Sequence, residues 1–331
     1  SPQALLDAAN IGGDTDTIGA ITGAILGAAL GFEVFVGRGL AQVELASHLD
    51  LPSVALELLE LRAAHEPTAS ASTSPETEDS SEADVPEVPA PASSSAPGAG
   101  RVVLMGQILV DRVLQGARPI HGGGSEWARD GGTHVGGGFN ALVAARRMGA
   151  EAISLSPIGT GPHASMIEAA LAREGIVDAG PRVDGVDNGF CVAMIGHDAE
   201  RTFISTKGAE TMTPKTAWAD FVRTMSPGDV LYIDGYLMDH PANREAAEAA
   251  LRALPEGVHV LLDVSPVIGI PESLPTHHAI ISMNSVEARA IAKQSRLDGY
   301  LPFDSLSCRL AQTLGRDTLI RLGASGAYFA R

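Results

Sequence analysis

Apolar and polar positions alternate in two different ways along the chain. From residue 101 onward, short apolar runs rich in β-branched residues are separated by segments whose apolar positions recur at helical spacing. The run VVLMGQILV precedes the helical ALVAARRM, and AISLSPI precedes the helical SMIEAALARE. DVLYIDG, REAAEAALRAL, HVLLDVS, AIISMN, SVEARAIAKQ and TLIRLG continue the series. Strands that are apolar throughout and separated by helices predict an α/β fold with a parallel sheet covered on both faces. GFCVAMIG and RTFISTK stand only HDAE apart and predict a hairpin able to act as a lid on that sheet. Before residue 66 the spacing in 18–30 and 54–61 is helical and no strand alternation occurs, so residues 1–65 are expected to be all-helical.

Between these regions the pattern vanishes. Residues 66–100 are mostly Pro, Ser, Ala, Thr and acidic residues, with no Lys, Arg or aromatic side chain. Such a stretch cannot bury enough apolar surface to offset its ordering entropy. It is expected to be a disordered, extended linker, because its acidic groups repel and its prolines stiffen the backbone.

Charge and cysteine content narrow the function classes. A formal net charge of -17 without clustered Lys and Arg argues against nucleic-acid binding. Cys191 and Cys308 have no Cys-x-x-Cys spacing, so neither a disulfide framework nor a zinc site is suggested, and a reducing cytoplasm fits. SPQALLDAAN is not a secretory signal. Residues 18–32 form an apolar run shorter than the roughly 20 residues of a bilayer span, so no membrane association is expected.

Two constellations carry chemistry. In GGDTDT, the glycines allow a tight turn while Asp14, Asp16 and Thr17 can aim hard oxygen ligands at one point, a set suited to Mg²⁺, Ca²⁺ or Mn²⁺. Asp16 or Thr17 could equally cap the following helix. That helix carries Gly19, Gly23, Gly27 and Gly31 on one face, at a cost of about 1 kcal/mol each relative to Ala, which calls for a close-packed neighbour. AANIGGDTDTIGAITGAILGA resembles the closing motif of the ADP-ribosylglycohydrolase family. The resemblance implies an all-α hydrolase with a two-magnesium site in which Asp14, Asp16 and Thr17 are C-terminal metal ligands. The family's remaining ligands lie near its N-terminus and are not in this sequence, so residues 1–65 are expected to be inactive as a hydrolase.

In the α/β region, VVLMGQILVDRVL carries Asp111 near the expected C-terminal end of a strand, where ligands of open α/β sheets collect. GGTHVGGGFNALVAARRMGA runs a glycine cluster into a helix beginning near Asn140; its glycines would let a ligand approach the backbone, or form a merely flexible loop. A carboxylate and a carboxamide together are suited to reading sugar hydroxyls. AIISMNSVEARA sets Asn284 and Glu287 three apart at a strand-to-helix junction, where Glu could also serve as a cap.

In order, these features resemble the ribokinase-like, PfkB-type carbohydrate kinases over residues 101–331. Asp111 matches the early substrate aspartate; Gly136, Gly137, Gly138 and Asn140 match the glycine-rich sugar motif; NGF and ERTFIS match the lid. Asn284 and Glu287 match Asn-x-x-Glu, with Met283 and Ser285 where Pro and Glu are usual, and RLGASGA matches the following strand pair. The resemblance implies a three-layer ribokinase-like sandwich with a small β lid, and ATP-dependent phosphorylation of a sugar or nucleoside hydroxyl. Asp111 and Asn140 would hold the acceptor, and Asn284 and Glu287 would organise Mg²⁺ and phosphate; a homodimer is compatible with it. The family's Gly-Ala-Gly-Asp motif, which supplies the anion hole and the base, does not occur in the sequence, so this polypeptide is expected to lack turnover by itself.

Other readings compete. Gly159-x-Gly161-x-x-Ala164 opens a helix after AISLSPI, with Asp178 downstream, the context of a dinucleotide fingerprint. A sugar-binding or regulatory module without turnover is the non-enzymatic reading. His277-His278 and His197-Asp198 read as surface residues, and Trp127 and Trp218 as packing residues. Assay of this polypeptide on ADP-ribosylated protein should yield no free ADP-ribose; measurable release would refute the incomplete-site reading.

Overall fold

The computed structural model describes residues 100–116, 127–196, 201–267 and 269–331. Asp14, Asp16, Thr17, the linker through residue 99 and the His197-Asp198 pair lie outside the described residues. Strand β1 (Arg101–Met105) is followed by β2 (Ile108–Gln115), β3 (Arg129–Gly137), helix α1 (Phe139–Arg147), β4 (Glu151–Ser154), α2 (Pro162–Glu174) and β5 (Val177–Asp178). Then come β6 (Phe190–Ile195), β7 (Arg201–Ser205), α3 (Ala217–Val222), β8 (Val230–Asp234), α4 (Pro241–Arg252) and β9 (His259–Asp263). Finally β10 (Ala279–Asn284), α5 (Ser285–Gln294), α6 (Phe303–Leu314), β11 (Asp317–Arg321) and β12 (Ala327–Ala330) complete the order.

Eight strands form one sheet in the order β12-β11-β10-β9-β8-β1-β4-β5, parallel except for β12. Alternation along β1 explains the layering. Val103 and Met105 face a core built with α3 to α6, whereas Val102 and Leu104 face a second core with α1 and α2. Both sides of each central strand are thus buried, which is why these runs are apolar without alternation. The α/β expectation and the ribokinase-like sandwich are both met. No described helix is long and apolar enough to cross a membrane.

A second sheet, ordered β3-β2-β6-β7, forms the lid. The expected hairpin is present as antiparallel β6 and β7. Two features differ from expectation. VVLMGQILVDRVL is two strands, not one: the chain turns at Gly106-Gln107, β1 pairs with β4 and β8, and β2 pairs with β3 and β6. Asp111 therefore stands in the lid, not at the C-terminal end of a strand of the main sheet. The glycine-rich stretch before α1 is strand β3, because backbone pairing with β2 needs no side chains.

Both of β1's neighbours leave in opposite directions along the sheet, so the order reverses at its C-terminal end. Ligands of open α/β sheets collect at such a switch point, and the lid grows from it. Of the two tryptophans, Trp218 is fully buried and its Nε1 donates to Leu155 O at 2.7 Å. Trp127 is 95 % exposed and does not pack as expected. His277 and His278 are exposed, as expected. Trp218→Ala should lower unfolding free energy by about 3–5 kcal/mol, read from the denaturant midpoint; a loss below about 1 kcal/mol would place the core elsewhere.

Candidate active site

Asp111 is fixed by the lid's register. It pairs with His134 on β3 and with Cys191 on β6, which in turn pairs with Ser205 on β7. Register partners share a face, so these four polar side chains form one row across the lid. Gly136 lies beside the row, and a Cβ there would overlap the Asp111 carboxylate. Gly137 has φ +68° and its following amide, that of Gly138, donates to Gln107 O at 2.9 Å. Gly138 then caps α1, which presents Asn140 in its first turn. Gly136 thus lies against Asp111, while Gly137 and Gly138 form the turn into α1, whose first turn carries Asn140. Burial pushes the Asp111 carboxyl up to about 6, with His134 pulling the other way.

At the C-terminal edge of the main sheet, Asn284 and Glu287 form a reciprocal cap on α5. Asn284 Oδ1 accepts from the Val286 and Glu287 amides, each at 2.9 Å, and the Asn284 amide donates to Glu287 Oε2 at 2.6 Å. Capping and a functional role are therefore not exclusive: the cap fixes the carboxylate at the sheet edge. Burial raises the Glu287 carboxyl, partly offset by the Asn284 amide.

Three further charged groups converge here that the sequence reading passed over. Asp234 and Asp263 are register partners closing β8 and β9, and Arg321 closes β11 beside Asn284. All three are buried. Arg321 Nη1 donates to Asp263 Oδ1 at 2.8 Å and to Ser282 Oγ, and its Nη2 lies 3.9 Å from Glu287 Oε2. Its Nε is buried with no partner among the described residues. Asp234 accepts from the amides of Gln107 at 3.2 Å and Tyr236 at 3.0 Å, while burial pushes its carboxyl up to about 6. The available signal was an aspartate ending an otherwise apolar strand in DVLYIDG and HVLLDVS.

Tyr236 joins the two halves. It follows Asp234, hydrogen-bonds Ser265 and lies within electrostatic reach of Asp234, Glu287 and Cys191. Cys191 in turn feels Asp111. The lid's Cys191 and the carboxylates Asp234 and Glu287 thus lie within electrostatic reach of the same tyrosine.

The dinucleotide reading meets an occupied helix end. α2 does begin at GTGPHA, but Asp187 accepts from the amides of His163 at 3.1 Å and Ala164 at 2.9 Å. A carboxylate already fills the position a pyrophosphate would need. Although burial opposes it, the amides of Ala164, His163 and Asn188 hold the Asp187 carboxyl below the usual range. Asp178 is paired with Arg182 at 2.7 Å.

Residues 100–331 match the pfkB family of carbohydrate kinases. The chain belongs to this family. Residues 2–68 match the ADP-ribosylglycohydrolase family. The chain is 30 % identical over 235 residues to YegV, an uncharacterized sugar kinase of Escherichia coli (strain K12), covering 69 % of this chain and 71 % of that one. In fold it is similar to the ribokinase of Giardia lamblia, with TM-score 0.57, 16 % identity and coverage of 70 % and 72 % of the two chains. The Arabidopsis thaliana ribokinase complexed with ribose and ATP gives TM-score 0.54, 22 % identity and coverage of 70 % and 75 %.

The raised Asp111 carboxyl has two consequences. Unfolded, it titrates near 3.8; folded, near 6. The folded state therefore binds the proton more tightly, and stability falls as pH rises from about 4 to 6. At pH 8, Asp111→Asn should raise Tm, with little difference at pH 4. The same substitution should weaken acceptor binding by about tenfold or more, since hydrogen bonds to a charged group contribute about 1.5–3 kcal/mol. Titration calorimetry showing unchanged affinity would remove Asp111 from the site.

Proposed function

We propose that the pfkB-family region phosphorylates a hydroxyl of a sugar or nucleoside at the expense of ATP. The observation that supports this reading is the placement of Asp111 against Gly136, in a lid strand paired with the glycine-rich strand that leads into helix α1, whose first turn carries Asn140. Asp111 and Asn140 hold the acceptor hydroxyls, and the Gly136–Gly137–Gly138 backbone allows the ring to approach. The acceptor oxygen bonds to the γ-phosphorus as the bridging oxygen leaves with ADP. Such a transfer asks mainly for positioning and charge neutralisation.

Asn284 and Glu287, with Asp234 and Asp263 beside them, offer hard oxygen donors suited to Mg²⁺. Among the described residues no three metal-ligating side chains converge on one point. That fits an ion held by one or two carboxylates and the nucleotide's own phosphates rather than by a dedicated cage. Bound there, Mg²⁺ would neutralise charge on the phosphates.

The proton of the acceptor hydroxyl needs a base. The family's Gly-Ala-Gly-Asp aspartate is not in this sequence, and the only carboxylate in the acceptor row is Asp111, which binds. In our reading these residues bind the acceptor, and turnover requires that aspartate. The organisation we propose is a C-terminal ADP-ribosylglycohydrolase piece in 1–65, a linker in 66–100 and a carbohydrate kinase region in 101–331. Where an ADP-ribosylglycohydrolase activity accompanies the kinase region, glycosidic release would feed a freed ribosyl product to the kinase.

The test is a coupled ADP-release assay over a panel of sugars and nucleosides. The complete protein should phosphorylate at least one acceptor, and Glu287→Gln should lower kcat by about tenfold or more, consistent with charge stabilisation of phosphoryl transfer. The 331-residue polypeptide should bind that acceptor and release no ADP. Inactivity of the complete protein on every acceptor would end the kinase reading.

A further inference from the structure

Two chain crossings carry the β6–β7 hairpin, one through Asp187, Asn188 and Gly189 into β6 and one through Thr206, Lys207 and Gly208 out of β7. The crossings touch, because a Cβ on Gly208 would overlap the main chain of Asp187, Asn188 and Gly189. Just beyond, the chain makes a single turn of 3₁₀ helix, Ala209–Thr211, whose middle residue Glu210 is 1 % exposed. A carboxylate buried that far is costly unless its oxygens are hydrogen-bonded. Oε2 accepts from the Gly189 amide at 2.7 Å, and Oε1 accepts from the Gly208 amide at 2.8 Å. One side chain thus bridges the entry and the exit of the hairpin.

The bridge is anchored on the main body of the fold. Asn243, buried in α4, donates through Nδ2 to Glu210 O at 2.8 Å and accepts at Oδ1 from the Thr213 amide at 3.1 Å. On the other side, buried Asn188 accepts at Oδ1 from the Gly159 amide at 2.9 Å and donates to Pro157 O at 3.1 Å. Gly189 O in turn accepts from the Val110 amide at 3.3 Å, and Cys191 two residues on is the register partner of Asp111. A shift at the root of the hairpin is therefore passed to the strand that carries Asp111.

We propose that Glu210 is a positioning residue for the acceptor: its carboxylate locks the root of the β6–β7 hairpin to α4 and so sets where the lid carries Asp111 relative to the main sheet. Buried as it is, Glu210 acts through the lid and does not touch the acceptor. This inference rests on the acceptor reading of Asp111 given above and adds the group that holds the lid in register with the body.

Hydrogen exchange on the 331-residue polypeptide reads the clamp without any ligand. In Glu210→Gln one acceptor oxygen becomes an amide nitrogen, and one glycine amide loses its partner. Amides of residues 189–208 should exchange about tenfold or more faster, as for a locally released element, while those of β8, β9 and β10 keep their rates. In the complete protein, assayed with ribose, fructose and adenosine as acceptor probes, Glu210→Gln should raise the acceptor KM about tenfold, the loss of one hydrogen bond to a charged group. Because only binding is affected, kcat and the KM for ATP should stay within about twofold. Glu210→Asp, which keeps the charge on an arm one methylene shorter, should shift the same quantities in the same direction and serves if Glu210→Gln does not fold. Unchanged exchange in a folded variant, or equal acceleration in β8, β9 and β10, overturns the clamp. Faster exchange in 189–208 with an unchanged acceptor KM overturns the positioning role alone. Inactivity of the complete protein across the wider panel above overturns the acceptor reading and the positioning role together, while the exchange rates still decide the clamp.

Discussion

Between Met105 and Ile108 one chain segment passes from an eight-stranded sheet into a four-stranded one, and the site depends on how that turn is held. The Gln107 amide donates to Asp234 at the end of β8, Gln107 O accepts from Gly138 at the start of α1, and the Ile108 amide donates to Ser156 Oγ beyond β4. Two strand ends and one helix start are thus tied to a single turn. Leaving a buried group of this kind unpaired costs about 1–3 kcal/mol, so the turn resists sliding. Asp111 is three residues beyond Ile108 on the same strand and inherits that placement.

The same turn explains what could be read from the sequence and what could not. The parallel sheet was legible because its strands are buried on both sides and spell continuous apolar runs. The lid was only half legible. Its β6 and β7 announce themselves as two short runs close together, but β2 is joined to β1 without a polar break. Gly106 was the one hint, and its role depends on Asp234, a partner 128 positions away in the sequence. Strand β3 was hidden for another reason. RDGGTHVGG has little intrinsic preference for a strand, and its pairing with β2 overrides that local tendency.

Site residues divide along the same line. Asn284 and Glu287 could be found because their relation is local: a three-residue spacing is enough to build a reciprocal cap. Asp111 and Gly136 could be picked out by resemblance, but their contact across paired strands is not encoded in spacing. Asp234, Asp263 and Arg321 come together only through the order of β8 to β11, which no local pattern specifies. Trp127 shows the limit of composition arguments. A tryptophan is an expected core residue, yet this one stands in solvent ahead of β3.

The charge balance at the sheet edge bears on the proposed chemistry. Asp234, Asp263 and Glu287 are all buried there, and the buried cation among them is Arg321. Burial raises the Asp234 and Glu287 carboxyls, so ionising them costs more than it would in water. Arg321 relieves Asp263 directly and Glu287 only at 3.9 Å. Bringing a polyphosphate to such an edge adds negative charge to an under-neutralised cluster, and at short range in a partly buried setting each such pair is worth several kcal/mol. A nucleotide arriving with a divalent cation reverses the sign of that interaction. The carboxylates then become ligands or hydrogen-bond partners of the incoming complex rather than its opponents. An edge built of acidic groups is thus compatible with the phosphate transfer proposed above, and Arg321 pairs with two of those groups.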